Sequence, residues 1–319
     1  MEDLSKFSGV IPPVIIPLKG DRTVDVVSFE KSINRMIDAG VHGLFFLGSS
    51  GEVAFLTNEE RDHVLQVALS IVDGRVPVLV GIIDMETMRV IDQAKHVSQH
   101  KGVDALVATA PFYALGGPIE TERHFRAIRE HTDLPLFAYD LPVSVHTKLD
   151  PDMLMRLGND GVIQGVKDSS GNDVQFRWLM IENEDAGHPL QLLTGHEVCV
   201  DGALLGGADG SVPGLANIDP SGYVEMWNAA KAGDWNRVSE LQDHLARLMM
   251  MTRKVKATVG FGAGVGAFKT ALWQMGVFET NQMREPVAAL QGDDVRAIVR
   301  VLRANGVIPK NSLMRQAWD

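Results

Sequence analysis

The feature that most limits what this chain can fold into is a recurrence: a short apolar run followed by a longer amphipathic stretch, repeated along the first two thirds. The runs fall at 10–18, 42–47, 76–83, 104–110, 135–139, 162–167, 190–194 and 210–212. The intervening stretches at 26–39, 59–72, 85–100, 121–131, 151–157 and 174–182 carry helical spacing. Strands that alternate with helices build parallel βαβ units. The runs are apolar throughout rather than at every second position, which is the pattern of strands buried on both faces. Eight such strands close a (β/α)8 TIM barrel. An open doubly wound sheet is the competing arrangement, but no Gly-x-Gly-x-x-Gly turn follows the first run to mark it. The expected fold class is therefore α/β, with a barrel catalytic domain over residues 1–220.

After Pro220 the strand-like runs stop. Helices are expected at 221–232, 234–251, 264–275, 286–290 and 293–305, forming a C-terminal helical domain over 221–319. The Gly260-Phe261-Gly262-Ala263-Gly264 run reads as a loop leading into the third of these.

Composition narrows the function classes. A formal net charge of −11 and the lack of any Lys/Arg run argue against a nucleic-acid partner. The single cysteine, Cys199, excludes an internal disulfide and a multi-cysteine metal site, and it fits a reducing compartment. No apolar run approaches the roughly 20 residues of a membrane span. The N-terminal Met1-Glu2-Asp3-Leu4-Ser5-Lys6 lacks the apolar core of a signal peptide. A cytoplasmic location is expected.

In a barrel, the C-terminal strand ends face the active site. The run Val162-Ile163-Gln164-Gly165-Val166-Lys167 ends in a lysine. A lysine there either snorkels to solvent or is desolvated, with a lowered pKa and the ability to attack a carbonyl as a Schiff-base nucleophile. The second run ends in Gly48-Ser49-Ser50-Gly51-Glu52, a turn whose hydroxyls and backbone N–H groups can converge on a small carboxylate. Taken alone, it also reads as an ordinary Ser/Gly turn. The fourth run ends in Ala110-Pro111-Phe112-Tyr113, the fifth in Tyr139-Asp140-Leu141-Pro142, the seventh in Gly195-His196-Glu197 and the eighth in Val212-Pro213-Gly214. A lysine, two tyrosines and a Ser-Ser turn thus share one expected face.

With these residues assembled, the chain resembles the dihydrodipicolinate synthase / N-acetylneuraminate lyase family of Schiff-base aldolases. Gly48-Ser49-Ser50-Gly51-Glu52 resembles the family's Gly-(Thr/Ser)-(Thr/Ser)-Gly-Glu, and Tyr139-Asp140-Leu141-Pro142 its Tyr-Asn-x-Pro. Gly165-Val166-Lys167-Asp168-Ser169-Ser170-Gly171 resembles its lysine motif, and the spacings from Tyr113 to Tyr139 and from Tyr139 to Lys167 match as well. The resemblance implies that Lys167 forms an imine with pyruvate or another 2-oxo acid and that Tyr139 relays protons. It implies that Ser49 links Tyr139 to Tyr113, the latter contributed by a neighbouring subunit of a homotetramer. Ser50 and the backbone at Gly48 would hold the substrate carboxylate, with Gly195 and Val212 lining the pocket. No cofactor and no metal are implied. His196-Glu197 with Asp201 offers a metal-dependent aldolase as a separate reading, but it shows no metal-binding spacing and leaves Lys167 without a role.

One departure bears on substrate. Where dihydrodipicolinate synthases carry an arginine for the carboxylate of the aldehyde, this chain has Ser144, and the Thr-Gly pair that follows is Val145-His146. A serine cannot supply a bidentate charged contact. His146, Thr147 and Lys148 read equally as a contact for another substrate tail and as a solvated loop. The reading favoured is reversible aldol cleavage of a 2-keto-3-deoxy sugar acid to pyruvate and an aldehyde. Dihydrodipicolinate synthesis from pyruvate and aspartate semialdehyde, or dehydration of a 2-keto-3-deoxy acid, are the alternatives.

Overall fold

A computed structural model describes residues 4–307. A 3-10 turn, Leu4–Phe7, leads into β1 (Gly9–Val10), followed by α1 (Val26–Asp38), β2 (Leu44–Phe46), α2 (Asn58–Val72), β3 (Val78–Gly81) and α3 (Thr87–Val97). Next come β4 (Ala105–Thr109), α4 (Pro118–Arg129), β5 (Leu136–Asp140), α5 (Pro142–Val145), α6 (Pro151–Asn159), β6 (Gly165–Asp168) and α7 (Asp173–Asp185). β7 (Gln191–Thr194), α8 (Val200–Leu205) and β8 (Gly210–Ser211) complete the strands. All eight strands pair in parallel, in the order β1-β8-β7-β6-β5-β4-β3-β2.

The fold is the expected TIM barrel, with strands shorter than their apolar runs. The first run, anticipated over 10–18, forms ladder only at Gly9–Val10 because Pro12, Pro13 and Pro17 have no N–H to give. That segment instead closes the barrel. Ile11 donates to the Ser211 carbonyl on one side, and Val14 to the Phe45 carbonyl on the other, at 2.9 and 2.8 Å. A bridge between Pro13 and Phe45 completes the join to β2.

Register sets which side chains point inward. Tyr139 lies opposite Lys167, and Asp140 opposite Asp168. Side chains alternate along a strand, so the first pair and the second face opposite sides. Below Tyr139, the Phe137 ring occupies the interior and meets Phe7 edge-on at 5.4 Å between centroids. Gly165 makes room for Phe137: a Cβ built on it would sit 2.2 Å from that ring and 2.8 Å from the Gln191 carbonyl.

Among the outer helices, α1, α2, α6 and α7 start where a short polar side chain caps them. Asp25 accepts from the Ser28 N–H, and Thr57 with Glu60 forms a reciprocal capping box at α2. Two short helices, α5 and α8, went unanticipated because segments of 4 and 6 residues show no readable periodicity.

Four helices follow the barrel: α9 (Pro220–Lys231), α10 (Trp235–Arg253), α11 (Gly260–Gln274) and α12 (Gly292–Ala304). The glycine-rich run expected as a loop is the first turn of α11. Glycine costs about 1 kcal/mol in a helix interior, but here it permits close packing, with Gly262 against Thr258 and Val287, and Gly266 against Leu290. The helix expected at 286–290 does not form. Its Leu290 carbonyl is taken instead by the Asn281 side chain at 2.9 Å.

α11 is tied to the barrel by a buried ion pair. Lys269, fully buried, donates to the Glu52 carboxylate and to the Gln282 carbonyl, the latter at 3.0 Å. Glu52 also accepts from the Arg284 N–H at 3.3 Å. Removing one partner of such a pair strands a charge in the interior. Lys269→Met should therefore lower the unfolding free energy in urea by about 3–5 kcal/mol, and adding Glu52→Gln should recover part of that loss. A cost below about 1 kcal/mol for the single change, the worth of an exposed pair, would show that the pair does not anchor α11.

Candidate active site

Lys167 is the penultimate residue of β6 and is 5% exposed. Its Nζ lies 4.0 Å from the centroid of the Tyr139 ring and 4.9 Å from that of Phe45. β2 and β6 stand on opposite sides of the barrel, so contact with Phe45 places the amine in the interior. Among the described residues, no carboxylate lies within ion-pair distance of it. The chain's other deeply buried lysine, Lys269, shows the ordinary solution, a carboxylate partner in direct contact.

Tyr139, at the fourth position of β5, is buried beside Lys167, with its ring edge-on to Phe45 at 6.3 Å. The Phe45 ring in turn lies under Gly48, where a Cβ would meet it at 2.6 Å. Only glycine lets the turn after β2 fold down onto that ring. The turn tightens through Gly51 N–H to the Gly48 carbonyl and Glu52 N–H to the Ser49 carbonyl, at 3.1 and 3.0 Å. Leu47 and Glu52, both with φ of 55°, bracket it in the left-handed region. Such residues cost on the order of 1 kcal/mol each and persist only where their surroundings hold them. The Glu52–Lys269 pair supplies that hold. Ser49 and Ser50 are half-buried on this turn.

The strand-end backbones complete the space. Gly195 N–H donates to the Asp168 carbonyl at 2.6 Å, and a Cβ there would strike Ser169 Oγ. Val212 N–H reaches the Thr194 carbonyl at 2.7 Å. At Gly214, a Cβ would lie 2.9 Å from Glu197 Oε1, 3.1 Å from Phe268 and 3.5 Å from Ser50 Oγ. Glu197 and Ser50 therefore approach one another across a glycine, backed by α11.

Glu197, expected at the end of the seventh run, takes up contacts that the sequence did not reveal. Its carboxylate accepts the Leu215 N–H at 2.7 Å. Burial pushes its pKa up, opposed by that bond and by the positive charge of Lys167. His196 turns away to Asp173, with Nδ1 to Oδ1 at 2.9 Å. Among the described residues, His196, Glu197 and Asp201 do not bring their ligand atoms together.

Three anticipated residues lie apart. Tyr113 is 84% exposed on the loop between β4 and α4. Ser144 and His146 are exposed on and just after α5, His146 capping that helix with φ of 58°. Lys148 is committed elsewhere. Its Nζ donates to Asp140 and to the Leu149 carbonyl, the latter at 2.8 Å, and lies 4.0 Å from Asp168. These contacts do not support a role for Lys148 on a substrate tail.

The same pairing explains Asp140. On the outer face of the sheet, Asp140 and Asp168 sit side by side in register, directly behind Tyr139 and Lys167. Burial raises the Asp140 carboxyl to about 6, against the pull of Lys148. A carboxyl that titrates at about 6 when folded and 3.8 when free keeps a proton that the unfolded chain has released. Its contribution to stability is therefore complete below pH 3.8 and is lost as pH rises through about 6. Asp140→Asn cannot ionise. Unfolding free energies measured across this range should move in the variant's favour as pH rises, then run parallel to wild type above it. Curves parallel throughout would mean that Asp140 is not held in this state.

Comparison with known proteins agrees with this geometry. Residues 6–305 match the model of the dihydrodipicolinate synthetase family. An uncharacterized DapA-like lyase of Halobacterium salinarum is 32% identical over 301 residues, covering 94% of each chain. A protein of Escherichia coli K12 named probable 2-dehydro-3-deoxy-D-pentonate aldolase is 30% identical over 247 residues, covering 77% of this chain and 81% of that one. Among solved structures, YagE of E. coli K12 in complex with pyruvate superposes with a TM-score of 0.88 at 26% identity, covering 94% of this chain and 99% of that one. The chain belongs to the dihydrodipicolinate synthetase family and is one of its lyases.

Proposed function

We propose that the protein is a Schiff-base aldolase that reversibly cleaves a 2-keto-3-deoxy sugar acid to pyruvate and an aldehyde. The observation that carries this reading is the amine of Lys167, buried without a carboxylate partner against the Tyr139 ring. With no carboxylate against it, the amine's lone pair is open to the carbonyl carbon of a substrate, where it acts as the nucleophile. Lys167 adds to the substrate keto carbon, and loss of water leaves a protonated imine. When the adjacent C–C bond breaks, its electron pair moves into that imine, giving an enamine. Tyr139 relays the proton: it takes the one on the hydroxyl that becomes the aldehyde carbonyl while its own phenolic proton passes on to Ser49, and the reverse transfer supplies the proton for the enamine carbon. Protonation of the enamine carbon and addition of water then return pyruvate and free Lys167. Ser50 and the Gly48 turn hold the substrate carboxylate, Ser49 links Tyr139 to a neighbouring subunit's Tyr113, and Gly195 and Val212 bound the pocket. Glu197 offsets the positive charge of the imine.

Ser144 supports a neutral aldehyde partner. An aldehyde carrying its own carboxylate would find no guanidinium at this exposed position, and a serine supplies no charged contact in its place. The name of the E. coli pentonate aldolase and the pyruvate bound by YagE point the same way. Self-association as a homotetramer fits the exposed apolar side chains on adjoining strand-end loops, including Tyr113, Leu115 and Val143. Tyr113 would then enter a neighbouring site. We further propose a division at residues 1–220 and 221–319, with the second part buttressing the carboxylate turn through Lys269, and a cytoplasmic location. Among the described residues, no helix is long and apolar enough to cross a membrane.

A coupled assay for pyruvate release tests the reading across 2-keto-3-deoxy acids and N-acetylneuraminate, with pyruvate plus aspartate semialdehyde assayed alongside. Release from a 2-keto-3-deoxy sugar acid is expected, and Tyr139→Phe should slow it by about 10²–10⁴-fold. Efficient consumption of aspartate semialdehyde alone would overturn the inference from Ser144.

A further inference from the structure

Outside the barrel, two histidines and an aspartate converge. His96 lies in the last turn of α3. Beyond it the chain tightens through Gln99 N–H to the His96 carbonyl and His100 N–H to the Val97 carbonyl, each at 3.1 Å. That turn brings His100 round onto the face that carries His96, their rings 5.4 Å apart at 77°. Both Nε2 atoms reach the same oxygen, Oδ1 of Asp62 on α2, at 2.8 and 2.9 Å. The other carboxylate oxygen is occupied by Gln66, one turn along α2, whose Nε2 donates to Asp62 Oδ2 at 2.6 Å. The ligand atoms of the three residues lie within 4.8 Å of one another.

We propose that Asp62, His96 and His100 bind a divalent late first-row transition ion, Zn²⁺ above all, that bolts α2 to α3. The residue types select the ion. Two imidazoles and one carboxylate suit Zn²⁺, Ni²⁺ or Cu²⁺, whereas Mg²⁺ and Ca²⁺ prefer oxygen alone. The geometry needs little change, because the ion replaces the protons that now bridge each Nε2 to Oδ1. Zinc–nitrogen bonds of about 2.0–2.1 Å draw the side chains inward, and all three are partly exposed, so they are free to rotate. Water completes a tetrahedron. Gln66 stands where an outer partner would orient the carboxylate ligand. The site owes nothing to the barrel interior: the ion serves as an external clamp between two neighbouring helices.

Full-length protein stripped with a chelator and titrated calorimetrically with ZnCl₂ alone tests this. One equivalent should bind and raise the melting temperature, and Co²⁺ in its place should show the d–d bands of a tetrahedral site. Mg²⁺ should give neither effect. His96→Ala/His100→Ala should abolish the binding event and the thermal shift, and Gln66→Ala should weaken the affinity about 10-fold. A wild type that binds no zinc, or a double variant that binds it equally well, overturns the proposal.

Discussion

The constraint on which the structure turns is a lysine amine held in the middle of a hydrocarbon-lined barrel with no carboxylate against it. An unpaired ammonium there is costly, and the surroundings reduce that cost without neutralising it. The Tyr139 and Phe45 ring faces are near enough for a cation–π contribution of about 0.5–2 kcal/mol. Glu197, on the loop after the neighbouring strand β7, makes no ion pair with Lys167 and accepts the Leu215 N–H instead. A carboxylate in direct contact would have held the charge on the amine and blocked its lone pair. Lys269 shows what that alternative looks like, and it serves as an anchor.

The two lysines are linked through the turn after β2. Lys269 fixes Glu52, the end of a turn that begins at Leu47 in the same left-handed conformation. Between those two points lie Ser49 and Ser50, next to Gly48, whose missing side chain leaves room for the Phe45 ring. Phe45 then touches both Lys167 and Tyr139. A path of direct contacts thus runs from α11 through the turn to the buried amine. Phe268, one residue before Lys269, backs Gly214 between Glu197 and Ser50 and adds a second point of support from the same helix. On the outer face, the Asp140–Lys148–Asp168 cluster holds the ends of β5 and β6 together, directly behind Tyr139 and Lys167.

Much of this was legible in the sequence. Continuous apolar runs marked strands buried on both faces, and strand ends in a barrel share one rim, so Lys167, Tyr139, Ser49 and Ser50 could be grouped before any coordinates. What escaped depends on contacts distant along the chain. Nothing near Lys269 announces Glu52, more than 200 residues away, and nothing near Lys148 announces that Asp140 will turn it inward rather than toward a substrate. The start of α11 was hidden because the cost of its glycines is local, whereas their benefit lies in neighbours at Val287 and Leu290. Glu197 was visible at a strand end, but its bond to the Leu215 N–H was not, since a loop aims it and no periodicity describes a loop.

In the proposed mechanism Lys167, and not the other buried lysine, forms the covalent bond to substrate. The most direct measurement is reduction with borohydride in the presence of pyruvate, followed by peptide mass spectrometry. One stable adduct is expected, on Lys167 and absent from Lys269, formed in step with loss of activity. An adduct that persists in Lys167→Ala, or full turnover by that variant, would contradict it.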